Sequence, residues 1–256
     1  MIHETAIIDP SAILADDIRV GPWTIIGPDV EIGAGTVIHS HVVIKGPTVI
    51  GKNNEIYQFS SVGENTPDLK YNNEPTRLEI GDGNVIREGV TIHRGTIQDK
   101  GLTYIGNNNL IMAYAHIGHD SIVHNNTILV NNVALAGHVV VGDYAILSGY
   151  TLVHQFCNIG AHAFTGMGTA VGKDVPAYIT VNGSPATAYN INAEGLKRRG
   201  FSADALKDLR RAYKVVYRQA RNLDDAIKEL KTMVKKSPEI QLLIDSLEQS
   251  TRGIVR

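Results

Sequence analysis

A chain of 256 residues, 43% hydrophobic and 20% charged with a formal net charge of −2, has room for one long domain and a smaller one. That balance marks no nucleic-acid binder, the longest apolar runs stop short of the roughly 18 residues that cross a bilayer, and no basic-then-apolar leader opens the chain. The single cysteine, Cys157, excludes an internal disulfide, and a cytoplasmic location is the default expectation.

In chain order, the first two thirds carry a six-residue pulse. Aliphatic residues stand at Ile2, Ile8, Leu14, Val20, Ile26, Ile32, Ile38, Ile44, Ile50, Ile56 and Val62. The pulse resumes at Ile80, Ile86 and Ile92, and again from Ile105 through Ile159 to Val171, with Thr165 as its one lapse. Helices repeat near 3.6 residues and strands at 2, so a short strand plus a turn, repeated, is what writes a period of six. Such units stack as a β-solenoid, each burying its aliphatic residue against the coils above and below. The fifth residue of each hexad is usually small and also faces inward, which makes Cys157 a core residue.

Two interruptions break the pulse. Val62 to Ile80 and Ile92 to Ile105 exceed one hexad by 12 and 7 residues, and their polar compositions are those of surface loops, near 65–79 and 98–104. Insertions in a repeat array often mark its binding face. Beyond the solenoid the charge changes sign. Residues 1–189 hold 9 Lys/Arg against 17 Asp/Glu, whereas residues 190–256 hold 15 against 9. This divides the chain into a solenoid domain, 1–189, and a helical domain, 190–256. In the second part Leu206, Leu209, Tyr213, Val216 and Tyr217 share a helical face, as do Ile227, Leu230, Met233 and Val234. Ser202 and Asn222 are expected N-caps, and Ser237-Pro238 is expected to start a last helix.

If three hexads make one coil, residues 18 apart lie above one another at about 4.8 Å. With the loops removed, the hexads from Val62, Ile92, Ile117, Leu135, Val153 and Val171 share one face. It carries His93, His119 with Asp120, His138, and His154 with Gln155, none at an inward position. Both insertions leave directly after hexads of this face. A metal site is the competing use of such histidines, but stacked coils are widely spaced for ligands to one ion and no acidic or thiolate cluster is evident in the sequence, so no metal is expected.

The stretches Ala115-His116-Ile117-Gly118-His119-Asp120, Ala136-Gly137-His138, Val153-His154-Gln155-Phe156 and Asn192-Ala193-Glu194-Gly195-Leu196-Lys197-Arg198-Arg199-Gly200 occur in this order. With the Asp68-Leu69-Lys70-Tyr71 loop and the Thr91-Ile92-His93-Arg94-Gly95 turn, the chain closely resembles the bacterial UDP-N-acetylglucosamine O-acyltransferase family over essentially its whole length. The resemblance implies a left-handed parallel β-helix followed by a small α-helical domain, a hand that the period alone does not fix. It further implies a homotrimer with sites between neighbouring prisms.

By that resemblance the reaction moves a 3-hydroxyacyl group from acyl carrier protein to the 3-hydroxyl of UDP-N-acetylglucosamine, the first step of lipid A biosynthesis, without a cofactor. His119 would be the general base, Asp120 its orienting partner, and the Gly137 amide the oxyanion donor. Asp68, Lys70, His93, His116, His138, His154 and Gln155 would hold nucleotide sugar or acyl chain. Asn192, Glu194, Arg198 and Arg199 would reach toward the nucleotide. Met167 stands where family members carry glycine or a bulky residue that measures the acyl tail, which implies a ten-carbon chain. The basic helical domain suits an acidic carrier protein. Rival readings are an N-acyltransferase of the same pathway, which normally carries an extra N-terminal domain where these hexads begin at Ile2, an acetyl-CoA-dependent acetyltransferase, and a structural solenoid. The irregular His, Gln and Asp residues of the marked face argue against the last.

Overall fold

The computed structural model describes residues 1–219 and 222–256. The pulse becomes three parallel sheets that form the walls of a left-handed parallel β-helix. Sheet I runs from Ile7–Ile8 to Ala170–Val171, sheet II from Ile13–Leu14 to Asn158–Ile159, and sheet III from Arg19–Val20 to the terminal strand Thr187–Ile191. Each turn of the chain visits I, II and III in that order. Register is 18 residues per coil, as in Ile25↔Val43 and His116↔Ala134. It widens to 30 for Ser61↔Thr91 and 25 for Thr91↔His116, because the two insertions are extruded without disturbing the stack.

Inward aliphatic residues such as Ile44, Val62, Ile92, Ile117 and Leu135 are fully buried. Cys157 is buried too, and burial, helped by Asp174, pushes its thiol up to about 11, which makes it a core group and a poor nucleophile. The lapse at Thr165 is satisfied from within: its hydroxyl pairs with Thr151 Oγ1 at 2.7 Å and accepts from Ser148 N. The fourth residue of many hexads turns the corner with φ near +60°, including Asp120 (58°), His138 (62°) and Phe156 (65°).

The extruded segments are 65–76, between the strands Ser61–Glu64 and Arg77–Ile80, and 94–101, between Thr91–His93 and Leu102–Ile105. The second therefore starts earlier than 98 and ends before 104, because Leu102–Ile105 already pairs with Arg77–Ile80.

Among the described residues, four helices close the end of the prism: α1 (Ala193–Arg198), α2 (Ala203–Tyr217), α3 (Leu223–Met233) and α4 (Ile240–Glu248). Ser202 and Asn222 cap α2 and α3 through their side-chain oxygens. Ser237 does not start α4. Ile240 N and Gln241 N instead bond back to Ser237 O and Pro238 O, making a tight turn that delays the helix to Ile240. A boundary between 189 and 190 falls inside the strand Thr187–Ile191, which pairs antiparallel with Ile179–Asn182. The helices dock on that hairpin and on the last coil. Tyr213 Oη donates to Tyr189 O, Ala177 N donates to Ser246 Oγ, and Tyr178 Oη donates to Glu239 O. Among the described residues no helix is long and apolar enough to cross a membrane.

Candidate active site

At the corner leading from sheet I to sheet II, the chain places His119 third and Asp120 fourth in the hexad of Ile117. One coil on, Gly137 and His138 occupy the same two places. The Asp120 carboxylate is wholly buried, with Oδ2 2.8 Å from His119 Nδ1. Thr96 holds its other side, donating its backbone N–H to Oδ1 at 2.9 Å and its hydroxyl to Oδ2 at 2.6 Å. Burial would raise this carboxyl, but the bonds from His119 and Thr96 outweigh it and hold Asp120 below the usual carboxylate range. An ionised carboxylate only accepts, so the proton of neutral His119 sits on Nδ1 and its lone pair is left on Nε2.

Nε2 faces the first extruded segment, where Asp68 Oδ2 lies 3.9 Å away. One hydroxyl oxygen between them could touch both. The His119 ring lies directly over Gly137: a Cβ there would meet Cε1 at 2.5 Å and Nε2 at 2.6 Å, so any side chain would displace the imidazole. The Gly137 amide donates to no acceptor among the described residues. His138 stacks on Phe156 at 4.3 Å, stands edge-on to His119 at 5.0 Å, and pairs with Asp99 of the second segment at 3.0 Å.

Sheet I itself forms an open trough of about 680 Å³ beside this corner, lined by His116, Ala134, Leu152, His154, Ala170 and Pro185 among others. At its upper edge His116 Nδ1 meets Thr91 Oγ1 at 2.8 Å and the His116 ring meets that of His93 at 5.1 Å. Burial, then the neighbouring His116, pushes His93 down to about 4, so it is neutral at pH 7, and its buried Nδ1 has no partner among the described residues. Burial also lowers His116. His154 and Gln155 are exposed at the trough's other side.

The structure thus gathers Asp68, His93, His116, His119, Asp120, Gly137, His138 and His154 along one edge of the prism, with Lys70 exposed on the same loop. It does not bring Asn192, Glu194, Arg198 and Arg199 to them. Asn192, Glu194 and Arg198 line a hollow on sheet III, and Arg199 donates to Tyr144 O at 2.9 Å at the corner between sheets II and III. The Asn192 side chain also serves its own helix. Its oxygen caps α1 by accepting from Gly195 N, and its nitrogen donates to His162 O. Met167 is 78% exposed at the corner from sheet III to sheet I, outside the trough lining.

Acidic groups do surround the histidines, unlike the sequence expectation. Asp68, Asp99 and Asp120 all lie within 4 Å of an imidazole nitrogen. Among the described residues, His119, Asp120 and His138 are the set whose donor atoms converge within 4.8 Å. Its carboxylate already accepts from three donors, and His119 Nδ1 carries the proton between them. The arrangement is a hydrogen-bonded relay rather than an open ligand set. Thr96 and Asp99 were not evident as site residues from the sequence, because only the folded path of the second segment carries them there.

Residues 174–255 match the family model for domain 2 of the UDP-N-acetylglucosamine O-acyltransferases, and residues 12–46 and 102–137 match the bacterial transferase hexapeptide model. The chain is 65% identical to the acyl-[acyl-carrier-protein]–UDP-N-acetylglucosamine O-acyltransferase of Pseudomonas fluorescens, covering 100% of this chain and 99% of that one. The chain belongs to the UDP-N-acetylglucosamine O-acyltransferase family. The family relative from Ectopseudomonas mendocina is 69% identical over 255 residues, again covering 100% and 99%. Solved family members from Acinetobacter baumannii and Moraxella catarrhalis superpose with TM-scores of 0.98 and 0.99 at 53% and 51% identity, each covering 100% of this chain and 99% of the other. The chain is an acyltransferase. The family's domain-2 model begins at 174, so it takes in the last coil and the hairpin on which the helices dock.

Proposed function

We propose that this acyltransferase moves a 3-hydroxyacyl group from the thioester of acyl carrier protein to the 3-hydroxyl of UDP-N-acetylglucosamine, opening lipid A synthesis in the cytoplasm without metal or other cofactor. The observation that carries the reading is the relay Thr96–Asp120–His119, which leaves Nε2 as a free base beside Asp68. The sugar hydroxyl gives its proton to Nε2 while its oxygen attacks the thioester carbonyl carbon. Asp120 stabilises the imidazolium that forms. The oxyanion of the tetrahedral intermediate accepts a hydrogen bond from the Gly137 amide N–H. Collapse expels the carrier thiolate, which recovers the proton from Nε2. No covalent acyl-enzyme is needed.

His93, neutral and with an unpartnered ring nitrogen, and His116 suit hydrogen bonds to uncharged sugar groups. Asp68 and Lys70 would frame the acceptor, and His138, His154 and Gln155 would line the donor's approach. Asn192, Glu194, Arg198 and Arg199 would meet the nucleotide. They stand on another face of the prism, so a nucleotide sugar touching both sets lies between two neighbouring prisms, which supports a homotrimer with shared sites. The decisive experiment is His119→Ala. We expect kcat to fall about 10²–10⁴-fold with the melting temperature nearly unchanged. Retention of more than about a tenth of kcat removes His119 as base.

Met167 supports a ten-carbon preference, since its side chain occupies space that glycine would leave open to further methylenes. We expect Met167→Gly to raise kcat/KM for fourteen-carbon relative to ten-carbon donors by roughly tenfold or more. An unaltered enzyme that prefers fourteen carbons ends this assignment.

A further inference from the structure

The two extruded segments approach the relay from opposite sides, yet neither has an apolar core of its own to hold it. Their connection is a single buried guanidinium. Arg94 is the first residue of the second segment and is 6% exposed. Its backbone N–H donates to Glu64 O, continuing the sheet for one more bond. Its Nη1 donates to Gly63 O at 2.6 Å at the root of the first segment. Its Nη2 donates to the Asn65 side-chain oxygen and to Tyr71 Oη, the latter at 3.1 Å. Tyr71 Oη in turn donates to Glu74 O at 3.2 Å, beyond the segment's tip. One rigid fork therefore grips the first segment before and after Asp68. Two residues further along the second segment, Thr96 clamps Asp120.

We propose that Arg94 is a positioning residue for acyl transfer: its guanidinium locks segment 65–76 to segment 94–101, and thereby sets Asp68 opposite the lone pair of His119 while Thr96 sets Asp120 behind it. The assignment rests on the reading of Asp68 and His119 given above. Arg94 itself touches neither atom of the relay. The geometry demands a planar, multiply donating cation. Two nitrogens of the fork serve the carbonyl of Gly63, the amide oxygen of Asn65 and the phenol of Tyr71, a spread that the single nitrogen of a lysine ammonium does not reproduce. The other bonds of residues 65–76 are local: Asp68 N donates to Thr66 Oγ1, and Lys70 N and Tyr71 N donate to Asp68 Oδ1 and O. They shape the turn around Asp68, and the fork ties that turn to the second segment, while Leu69 at the tip is fully exposed.

The test is a double-mutant cycle with an independent measure of loop order. Arg94→Lys keeps the charge and removes the fork. Tyr71→Phe removes the phenol's bonds to Arg94, Glu74 O and Asn65 Oδ1 and leaves the prism untouched, so it serves even where Arg94→Lys folds poorly. We expect Arg94→Lys to lower kcat/KM for the nucleotide sugar at least tenfold and Tyr71→Phe two- to fivefold. Amide exchange should accelerate in 65–76 but not in the strands of sheet I. In the Asp68→Ala background either change should reduce kcat/KM less than about twofold further, because the group they position is gone. Fully multiplicative losses, or unchanged exchange in 65–76, overturn the proposal. If Asp68→Ala is silent in the otherwise unaltered chain, the proposal falls for a different reason: the functional reading of that loop is wrong, whatever Arg94 does to its order.

Discussion

Two corners of the prism use the same backbone position in opposite ways. Where sheet II turns into sheet III, the third residue of successive hexads is Lys52, Asp82, Asn107, Asn125 and Asp143. Each amide from Lys52 to Asn125 donates to the side-chain oxygen of the residue one coil on, at 2.6, 2.7, 2.8 and 2.8 Å. All four rungs are filled, and this ladder is chemically inert; Arg199 meets the corner only beyond it, at Tyr144 O. Where sheet I turns into sheet II, the third residue is His119 and then Gly137. The glycine removes the next rung, the imidazole lies over the gap, and its outer nitrogen meets no donor. Saturating the repeat's polar groups builds structure, and leaving one rung out builds a site.

The largest expected effect comes from refilling that rung. Gly137→Ala puts a methyl where the His119 ring lies, so we expect kcat to fall about 10²–10⁴-fold, as for loss of the base itself. The melting temperature should change by no more than a few degrees, since the displaced ring can swing to solvent. A variant with near-normal single-turnover rate would show that the ring does not depend on the missing side chain.

The reverse experiment empties a rung in the inert corner. Asn84 lies in a second, fully buried ladder at the fifth position: its N–H donates to Asn54 Oδ1, its amide nitrogen to Gly106 O, and its oxygen accepts from Asn109 N. Asn84→Ala orphans two buried groups, Gly106 O and Asn109 N, for a loss of about 2–4 kcal/mol, or roughly 5–15 °C in melting temperature. The kcat at 25 °C should stay within about twofold of its starting value. A large loss of rate with unchanged stability would collapse the distinction between the corners.

The smallest effect concerns acid. His93 at the catalytic edge is pushed down to about 4, and so is His162, held between Tyr144 and Tyr178 at the inert corner, by burial and then by Arg199. Both take up a proton on unfolding between about pH 4 and 6.5, so their contribution to stability is full above 6.5 and is lost as pH falls toward 4. With each partly open to solvent, about 1–2 kcal/mol apiece is expected. Melting temperatures at pH 7.5 and 5.0 check the sign, and a rise on acidification would contradict it.

What the sequence made legible follows from the same contrast. The pulse is readable because each coil repeats one environment, and counting by eighteen places His119 above Gly137 without coordinates. Segments 65–76 and 94–101 have no period, so the approach of Asp68, the grip of Thr96 on Asp120 and the pairing of Asp99 with His138 could not be counted out. The cap that Asn192 forms on α1 is local, a short polar side chain before Ala193 serving its own helix. The inward asparagines were also hidden, since a buried amide departs from the small residues that usually fill the fifth position and is tolerable only because its neighbours along the stack complete it.

That run of asparagines has a consequence for how the chain finds its fold. A stack of nearly interchangeable coils invites slippage, in which one coil docks on the wrong neighbour and every later contact is shifted by eighteen residues. Asn54, Asn84 and Asn109 stand in consecutive coils, and Thr127 ends the series by donating to Asn109 Oδ1. A slipped pairing sets an amide against an aliphatic or small partner and strands its polar atoms in the dry interior, a penalty of several kcal/mol that the correct pairing alone escapes. Asn54, Asn84 and Asn109, flanked by Thr36 and Thr127, thus act as an address, naming which coil follows which.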